Sequence, residues 1–329
     1  NFTLGFIYFL QTALKQPQIG FATDEVNEGM AFMPYNREGR RIKGKVRLNI
    51  DHIATPFKTN LYRTGISVGD YPVDHHHARY NGKVPPIPFP SVPSFNIPLG
   101  ALMPEKIQGL VVCEKGISVS NIANGTTRLQ PVVLLTGQAA GALAAVSLQQ
   151  NINVQDVSVT AVQKVLLTEN VYLMPYSDVK HTDGAFKAVQ WIGSWGIIKG
   201  IGKSIGWANK TYFKPDSLVT HAEISAGLQA LVPIRFSEKL KPNDPVTTGV
   251  LFEMIASFNT AVAQHSKAAR AAKISGGFLI ANQTYTNAGL LVPASSKALT
   301  RKEASFILHQ LAKGLDYLEK DLSGAAFFK

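Results

Sequence analysis

The sequence contains very little cysteine and no dense cluster of basic residues. Cys113 is the single cysteine, which excludes an intramolecular disulfide and any metal site built from several thiolates. Because Cys113 follows an apolar run, we expect a buried and inert thiol rather than a nucleophile. Lysine plus arginine number 33 against 22 acidic residues, for a net charge of +11, but no five basic residues are consecutive. Such scattered charge argues against a nucleic-acid-binding protein and is compatible with an acidic substrate or an anionic surface.

The chain also lacks a glycine-rich dinucleotide motif at its start and a recognisable secretion signal. The closest string to G-x-G-x-x-G, Gly200 to Gly206, has the wrong last spacing, and we interpret it as a turn. No charged segment precedes an apolar run near the first residue. The run from Val132 to Leu148 approaches the length of a membrane span, but Thr136, Gln138 and many small residues argue against insertion. We therefore predict no transmembrane segment and a start that lies inside a longer protein.

Length and composition indicate a globular protein with a proper core. The 329 residues suffice for two domains, or for one large and one small domain. Hydrophobic residues make up 45% of the chain and charged residues 17%, which excludes a disordered or fibrous protein.

The stretch from Leu110 to Leu148 organises the rest of the chain. Its first apolar residues, Leu110 to Val112, predict a short buried strand, and Ser118 to Gln130 predicts a polar loop. Pro131 then suits the first turn of an apolar helix, which is either a plain core helix or part of a cofactor site. Small residues on one side would let this helix lie close to a sheet or a flat ligand. That face comprises Gly137, Ala140, Gly141, Ala144 and Ala145.

Short sequence blocks between Ile97 and Gly141 keep a fixed order and spacing. The blocks are Ile97-Pro98-Leu99, Ala101-Leu102-Met103-Pro104, Gly116-Ile117-Ser118, Asn124 to Pro131, and Gly137 to Gly141. They resemble the C-terminal flavin-contacting segment of FAD-dependent oxidoreductases of the glutathione-reductase-like superfamily. The resemblance is closest to a bacterial group that often carries the name xanthan lyase. Where many of those enzymes have Ala-Gly-Arg, this chain has Cys113-Glu114-Lys115.

This resemblance implies FAD as the cofactor, with a site in the same segment. The implied FAD-binding residues are Lys115, Asn124, Thr126, Thr127, Arg128, Gly137, Gln138 and Gly141. Arg128 and the backbone N–H groups around Gly137 and Gln138 would offset negative charge at the N1–C2 edge of the flavin. The resemblance also implies that the glycine-rich βαβ unit of the FAD site is missing from this chain. A preceding segment or a companion chain would supply it.

Residues 1–95 resemble the substrate region of the same enzymes. The apolar start, Asn1 to Leu14, predicts a helix, and the alternation from Ile42 to Ile53 predicts a strand. Thr64 to Val73 continues as a strand and a turn. The block from Pro34 to Arg41 contains several guanidinium groups, which bind carboxylates or phosphates in bidentate fashion. A solvated basic turn paired with Glu38 is the alternative for this block.

Asp70, Asp74, His75 and Arg40 are the candidate catalytic residues. A histidine titrates near neutrality and can pass a proton while hydride moves from the substrate to the flavin. The alternative is a polar turn whose aspartates cap backbone groups. Adjacent histidines, His75 to His77, cannot all face one ion in a regular strand, so we predict no metal site.

The C-terminal half shows a different pattern. Residues 151–175 predict a linker helix that Asp156 or Ser158 would cap. From Tyr176 onward the order of motifs resembles a surface-layer-homology repeat, in which Thr220 and Glu223 predict a capping box. Related helix starts recur at Thr247 and Thr300, which indicates a degenerate array of helix pairs. We expect a structural or docking role for this array, with envelope proteins as partners.

The predicted fold is α/β, a partial FAD-binding domain plus a β-rich substrate region, with a C-terminal, mainly α-helical repeat domain. The predicted segments are 1–95 for the substrate region, 96–150 for the FAD-binding segment, 151–175 for the linker helix and 176–329 for the repeats. The predicted function is that of an FAD-dependent oxidoreductase fragment acting on a small organic or sugar-like substrate, in the bacterial cell envelope, with the cytoplasm left open. The alternatives are a non-catalytic flavin-fold scaffold of an envelope assembly, and a polysaccharide lyase that uses Tyr71, His75 and Arg79.

Overall fold

Helix α1, Phe2–Thr12, begins the part of the chain that the computed structural model describes. That part comprises residues 2–26, 29–32, 36–74, 88–236, 240–272, 274 and 296–329. The backbone divides into two units, Asn1–Gly39 and Arg40–Lys329. In the first unit, α1 confirms the helix expected at the start of the chain. The side chain of Gln11 donates to the backbone oxygen of Ile19 at 2.7 Å and so holds the following turn against the helix.

The first β-structure of the second unit is a two-stranded antiparallel sheet of β1, Gly65–Gly69, and β2, Phe95–Pro98. β1 confirms the strand expected in Thr64–Val73. Its last residue, Gly69, has no room for a side chain, because a Cβ atom there would lie 2.7 Å from the ring of Phe95 and 3.0 Å from Val132. The sheet therefore packs directly against the start of the long apolar helix.

Two expected strands are wrong. In residues 42–53, Gly44 and Leu48 form only isolated bridges, and helix α2, Ile50–Ala54, occupies the end of the segment. The alternating pattern correctly indicates extended backbone, but this backbone pairs with irregular segments and not with one neighbouring strand. Leu110–Val112 forms no strand either, and Leu110 is 41% exposed. A buried strand needs partners along both edges, whereas the described residues give this run one isolated backbone bond, from Val112 N–H to the oxygen of Leu102 at 2.9 Å.

Three helices follow the sheet. The expected polar loop after Ser118 contains helix α3, Asn121–Thr127, because the Ser120 side chain accepts a hydrogen bond from Ala123 N–H and caps it. The long helix α4 spans Gln130–Gln150, with proline in its first turn as expected. Helix α5, Val159–Thr168, is the predicted linker helix, and Ser158 is its N-cap.

The C-terminal part consists mainly of helices. Its elements are α6 (Phe186–Trp195), β3 (Ile201–Ile205), β4 (Ala208–Tyr212), α7 (His221–Gln229), α8 (Thr248–His265), α9 (Lys267–Ala271), α10 (Arg301–Leu311), β5 (Leu318–Lys320) and β6 (Ala326–Phe328). Strands β3 and β4 form a hairpin, as do β5 and β6. Gly206, at the tip of the first hairpin, has a φ of +58°, which confirms a turn in the glycine string.

The segments that begin α7, α8 and α10 pair with one another. Leu218 bridges Thr300, Thr220 bridges Pro245, and Thr247 bridges Ala298. Capping boxes start α7 and α10, as the sequence predicts, whereas Val250 supplies only its backbone N–H to Thr247 at α8. The buried Arg301 then joins these starts to the rest of the unit through Glu223 and the backbone oxygens of Phe213 and Lys199.

One hydrophobic core runs through the second unit, from Leu48 to Leu318. The side-chain amide of Asn96 donates to the backbone oxygen of Tyr62 at 2.7 Å and to that of Leu173 at 3.2 Å. These bonds connect the predicted substrate region, FAD-binding segment and linker. The division into four segments therefore stays a prediction. In the structure, the segments within the second unit contribute to one common hydrophobic core.

Helix α4 has two different faces. Val132, Ala139, Leu143 and Val146 are buried in the core. The opposite face exposes Leu134 at 72% and Leu148 at 81%, with the small residues of the predicted face between them. In the described part of the chain, α4 is the one helix long and apolar enough to cross a membrane, and 44% of its most apolar window is buried inside the protein.

Candidate functional site

The sequence blocks around residues 100 and 118 form a closely hydrogen-bonded frame with residues 42–48. Leu48 N–H donates to the backbone oxygen of Ser118 at 3.0 Å, and Ser120 N–H donates back to the oxygen of Leu48 at 2.8 Å. On the other side, Val46 N–H donates to the oxygen of Gly100 at 3.1 Å. A Cβ atom on Gly100 would lie 2.6 Å from the Val46 side chain, so the two segments can approach this closely only with glycine there. This frame fixes where α3 begins.

Arg128 lies between α3 and α4 and is buried, with 4% of its surface exposed. Its Nη2 donates to the backbone oxygen of Asp74 at 3.0 Å and to the carboxylate oxygen Oδ2 at 3.1 Å. Asp74 in turn lies against α3, because a Cβ atom on Gly125 would be 2.6 Å from the Asp74 backbone oxygen. A full positive charge is thus held in a fixed orientation just ahead of the α4 N-terminus, where free N–H groups add partial positive charge.

Three buried side-chain atoms at this site have no hydrogen-bond partner among the residues that the structure describes. They are the Nε of Arg128 and both side-chain amide atoms of Asn124, which is 1% exposed. A buried donor or acceptor without a partner costs about 1–3 kcal/mol. Because such a cost is offset when a ligand supplies the missing bonds, these atoms suit the polar edge of a flat heterocyclic cofactor such as FAD.

The structure brings together only part of the predicted cofactor-binding set. Asn124, Thr126, Thr127 and Arg128 are all buried at the C-terminal end of α3. Lys115 is half-buried in the 3₁₀ turn Glu114–Gly116, which contacts α4 through a 3.2 Å bond from Glu114 N–H to Thr136 Oγ1. Gln138 and Gly141 lie instead on the exposed face of α4.

The expected role of the backbone at Gly137 and Gln138 is corrected by the helix boundaries. Both residues lie well inside α4, Gln130–Gln150, so their N–H groups are engaged in the helix ladder. The free N–H groups belong to the first turn of the helix, next to Arg128. The resemblance placed the donors about two turns too far along the helix, although Pro131 marks its first turn correctly.

The candidate catalytic residues separate in space and in bonding. Asp74 is bonded to Arg128, whereas Asp70 is exposed at the end of β1 and lines a pocket of about 380 Å³. Arg40 is exposed near Gly116, to whose backbone oxygen Ile42 N–H donates at 2.9 Å. His75, and with it the rest of the histidine cluster, lies outside the described residues.

Residues from the C-terminal part also line the Asp70 pocket. Its walls include Pro131 and Leu135 from α4, Tyr172 and Pro175 from the linker, the next residues Tyr176 and Ser177, and Asn209 and Lys210 from β4. Asn209 is fully buried, and its side-chain nitrogen has no hydrogen-bond partner within the described part of the chain. At the hairpin tip, Trp207 is 74% exposed and its ring lies 5.9 Å from that of Tyr71. Sequence reasoning missed these residues, because nothing in the pattern of a hairpin shows which distant loop it contacts.

Of the three residues proposed for a lyase, Tyr71 is the one within the described part of the chain. His75 and Arg79 both lie outside it. Among the described residues, no group of three or more histidine, cysteine, aspartate or glutamate side chains could hold a metal ion.

We expect Glu114→Gly to keep the fold and to raise the free energy of unfolding by up to about 1 kcal/mol. Glu114 has a φ of +61°, a left-handed conformation that disfavours residues other than glycine. Glycine is the residue that the resemblance leads us to expect here, and the backbone adopts a conformation that suits glycine. Urea denaturation of the wild type and the variant measures the difference. A loss of stability would show instead that contacts of the Glu114 side chain stabilise the fold by more than the left-handed backbone conformation costs.

The Cys113 thiol next to this turn is partly buried, not fully buried as expected. Partial burial raises the pKa of Cys113, and the negative charge of Glu114 raises it further. A thiol with a raised pKa carries little reactive thiolate at neutral pH.

Comparison with known proteins gives one family. Residues 1–166 of the 329-residue chain, half of its length, match the family model described as FAD dependent oxidoreductase. Neither the curated proteins nor the solved structures contain a match to this chain.

Proposed function

The chain belongs to the FAD-dependent oxidoreductase family, with FAD as its cofactor, and from this premise we propose that it oxidises a small organic or sugar-like substrate by hydride transfer. When bound, FAD supplies the hydride-accepting ring. The observation that carries the proposal is the buried Arg128, held by Asp74 and flanked by the unpartnered amide of Asn124. Fixed donors of this kind stabilise negative charge without reorganising during the reaction.

The residues around Arg128 would hold the cofactor. Arg128 keeps its Nε for a ligand because Asp74 occupies Nη2, and the Asn124 amide can both donate and accept. Thr126 and Thr127 complete the buried wall, although Thr126 Oγ1 already donates to the backbone oxygen of Ala123 at 2.9 Å. Lys115 would add a second positive charge from the neighbouring turn.

The pocket beside Asp70 is the proposed place for the substrate. Its volume of about 380 Å³ suits a small molecule, and its lining combines apolar and polar groups. Asp70 can accept a proton from a substrate hydroxyl, since Asp74 is committed to Arg128. His75 and Arg40 remain further candidates for proton transfer and for binding a substrate carboxylate.

We expect Arg128→Met to weaken FAD binding by about tenfold or more, because a hydrogen bond from a charged group contributes about 1.5–3 kcal/mol. Titration of the purified full-length chain with FAD, followed by flavin fluorescence, measures the dissociation constant. Asn124→Leu should weaken binding as well. Arg47→Met is the matched control, since it removes the same charge from an exposed position.

Unchanged affinity in both site variants would contradict the proposed binding site. Failure of the wild-type protein to bind FAD under any of these conditions would favour the scaffold alternative.

We propose that a glycine-rich βαβ unit, from a preceding segment or a companion chain, docks on the exposed face of α4. This face carries Leu134 and Leu148, which are mostly exposed, on either side of Gly137 and Gly141. A Cβ atom at either glycine would meet nothing within 4 Å, so the surface leaves room for a closely packed sheet. The same FAD titration in the presence of a polypeptide that carries the G-x-G-x-x-G unit tests this. Leu134→Glu should remove any gain in affinity.

We also propose that the C-terminal helices form a degenerate repeat module with a docking role in the cell envelope. The mutual pairing of the segments that begin α7, α8 and α10 supports equivalence of these three starts. Partners and localisation follow from the resemblance stated above. Fractionation of the producing cells, with immunodetection of the native protein, distinguishes an envelope protein from a cytoplasmic one.

A further inference from the structure

A second pocket lies away from Arg128 and Asp70, between α5, α6 and the C-terminal end of α10. Its volume is about 410 Å³, and residues 313–316 of the following 3₁₀ helix close one side. Trp191, which is 5% exposed, is its largest aromatic side chain. This size is within the range of small-molecule sites.

The charges around this pocket are mostly of one sign. Lys164, Lys187 and Lys313 all line it, and the one carboxylate among its lining residues is that of Asp316. Lys187 Nζ donates to the backbone oxygen of Thr168 at 3.0 Å, which places its charge at the pocket wall. Lys164 forms a 3.3 Å ion pair with Asp316. The lining thus carries an excess of two positive charges, and like charges that converge in one cleft repel unless an anion compensates them.

We propose that this pocket binds a small molecule with a dianionic group, either a phosphate monoester or a dicarboxylate. A dianion balances the excess charge of the lining. The three ammonium groups come from different elements, α5, α6 and the 313–317 segment, so an anion between them would be contacted from several sides. The excess of two positive charges favours a dianion over a monoanion. The pocket volume of about 410 Å³ is too small for a macromolecular ligand. The proposal concerns ligand binding outside the oxidoreductase site.

His309 gives this site a distinctive pH dependence. Burial lowers the pKa of His309, and the charges of Lys313 and Lys164 lower it further, while Asp316 acts in the opposite direction. Lys187 also faces the pocket and adds to the positive charge. A bound dianion would raise the pKa of His309, so binding would take up a proton. Affinity should therefore increase as the pH falls from about 8 to about 7, a range in which both ligands stay doubly charged.

The test is calorimetric titration of the full-length protein with glucose 6-phosphate, with succinate and with neutral glucose. We expect saturable binding of at least one dianion at about millimolar concentration or below, and none of glucose. The two anions distinguish a phosphate site from a carboxylate site. Lys187→Gln combined with Lys313→Gln should weaken binding at least about tenfold. Asp316→Asn should strengthen it by about fivefold, because it removes the one opposing charge.

Lys203→Gln is the matched control, since Lys203 is an exposed lysine on β3 that does not line this pocket. His309→Gln should keep binding but lose its pH dependence. The proposal is overturned if neither dianion binds saturably. It is also overturned if Lys203→Gln weakens binding as much as the double variant, or if Asp316→Asn leaves affinity unchanged. The oxidoreductase proposal stands independently, because none of these variants alters Arg128 or Asn124.

Discussion

Gly227→Ala is expected to reduce the free energy of unfolding by about 3 kcal/mol, the upper end of the usual cost of overpacking. Gly227 lies on the buried face of α7, where a Cβ atom would be 2.3 Å from the backbone oxygen of Ile197 and 2.5 Å from its Cα atom. Backbone atoms cannot rotate away as a side chain can. The 197 segment is also held in place, because Ile197 N–H donates to the oxygen of Ile192 and Gly196 adopts a φ of +73°. The helix itself would have to move.

The matched control for this variant is Gly141→Ala on α4. The chemical change is the same and also lies within a helix, but a Cβ atom at Gly141 meets nothing within 4 Å. Alanine is favoured over glycine in a helix by about 0.8–1 kcal/mol, so this variant should gain stability. Urea denaturation of the two variants should therefore shift the midpoint in opposite directions. Equal shifts would mean that α7 does not pack against residue 197 as described.

Glu319→Ala is expected to cost about 3 kcal/mol or more, comparable to removing one partner of a buried ionic contact. The buried carboxylate of Glu319 accepts hydrogen bonds from the hydroxyls of Ser158 and Thr160 and from Thr160 N–H, at the N-terminus of α5. It also lies next to Lys320, which is 2% exposed. Lys320 Nζ donates to Gln163 Oε1 at 2.6 Å and lies 4.2 Å from the centre of the Trp195 ring.

Removal of the carboxylate therefore leaves several buried donors without a partner and detaches the β5–β6 hairpin from α5. Thermal denaturation measures the loss. Glu253→Ala, at an exposed position on α8, removes the same charge without these bonds and should change stability by less than about 0.5 kcal/mol. If the two variants have the same melting temperature, the hairpin is not anchored through Glu319.

The same carboxylate gives a pH dependence. Burial alone would raise the pKa of Glu319, but the hydrogen bonds from Ser158, Thr160 and the Lys320 N–H outweigh burial and hold the pKa below its usual value of 4.5. The unfolded chain therefore binds the proton more readily than the folded chain. The stabilisation is fully present above the unfolded pKa and is lost as the pH falls through the lower, folded pKa. Glu319→Gln should flatten this part of the acid denaturation curve.

Local signals predicted the local structure well. The apolar start of the chain, the turn at Gly206, the Ser158 cap and the capping boxes of Thr220 and Thr300 each depend on residues within a few positions of one another. The expected strand at Leu110–Val112 is wrong for a complementary reason. A strand exists only through hydrogen bonds to a neighbour, which a run of apolar residues does not specify.

The candidate site shows the same division. Arg128 and Asn124 belong to a sequence block from which a cofactor-binding role was predicted, and both are buried at the end of α3. Asp70 and Asp74 looked equivalent in sequence, but the fold commits Asp74 to Arg128 and leaves Asp70 at a pocket rim. Asn209 and Lys210 carried no signal at all, because they reach that pocket from a hairpin more than a hundred residues away.

By itself, the sequence determined the family, the cofactor, the helix starts at Ser158, Thr220 and Thr300, and the stretch that carries the buried arginine, because each of these is encoded by residues that are near one another along the chain. Only the tertiary structure decided which aspartate is bonded, which face of α4 stays exposed and where three lysines meet around one pocket. Those outcomes depend on distances between segments far apart in sequence. Such distances are set by the packing of the whole core, which no local pattern contains.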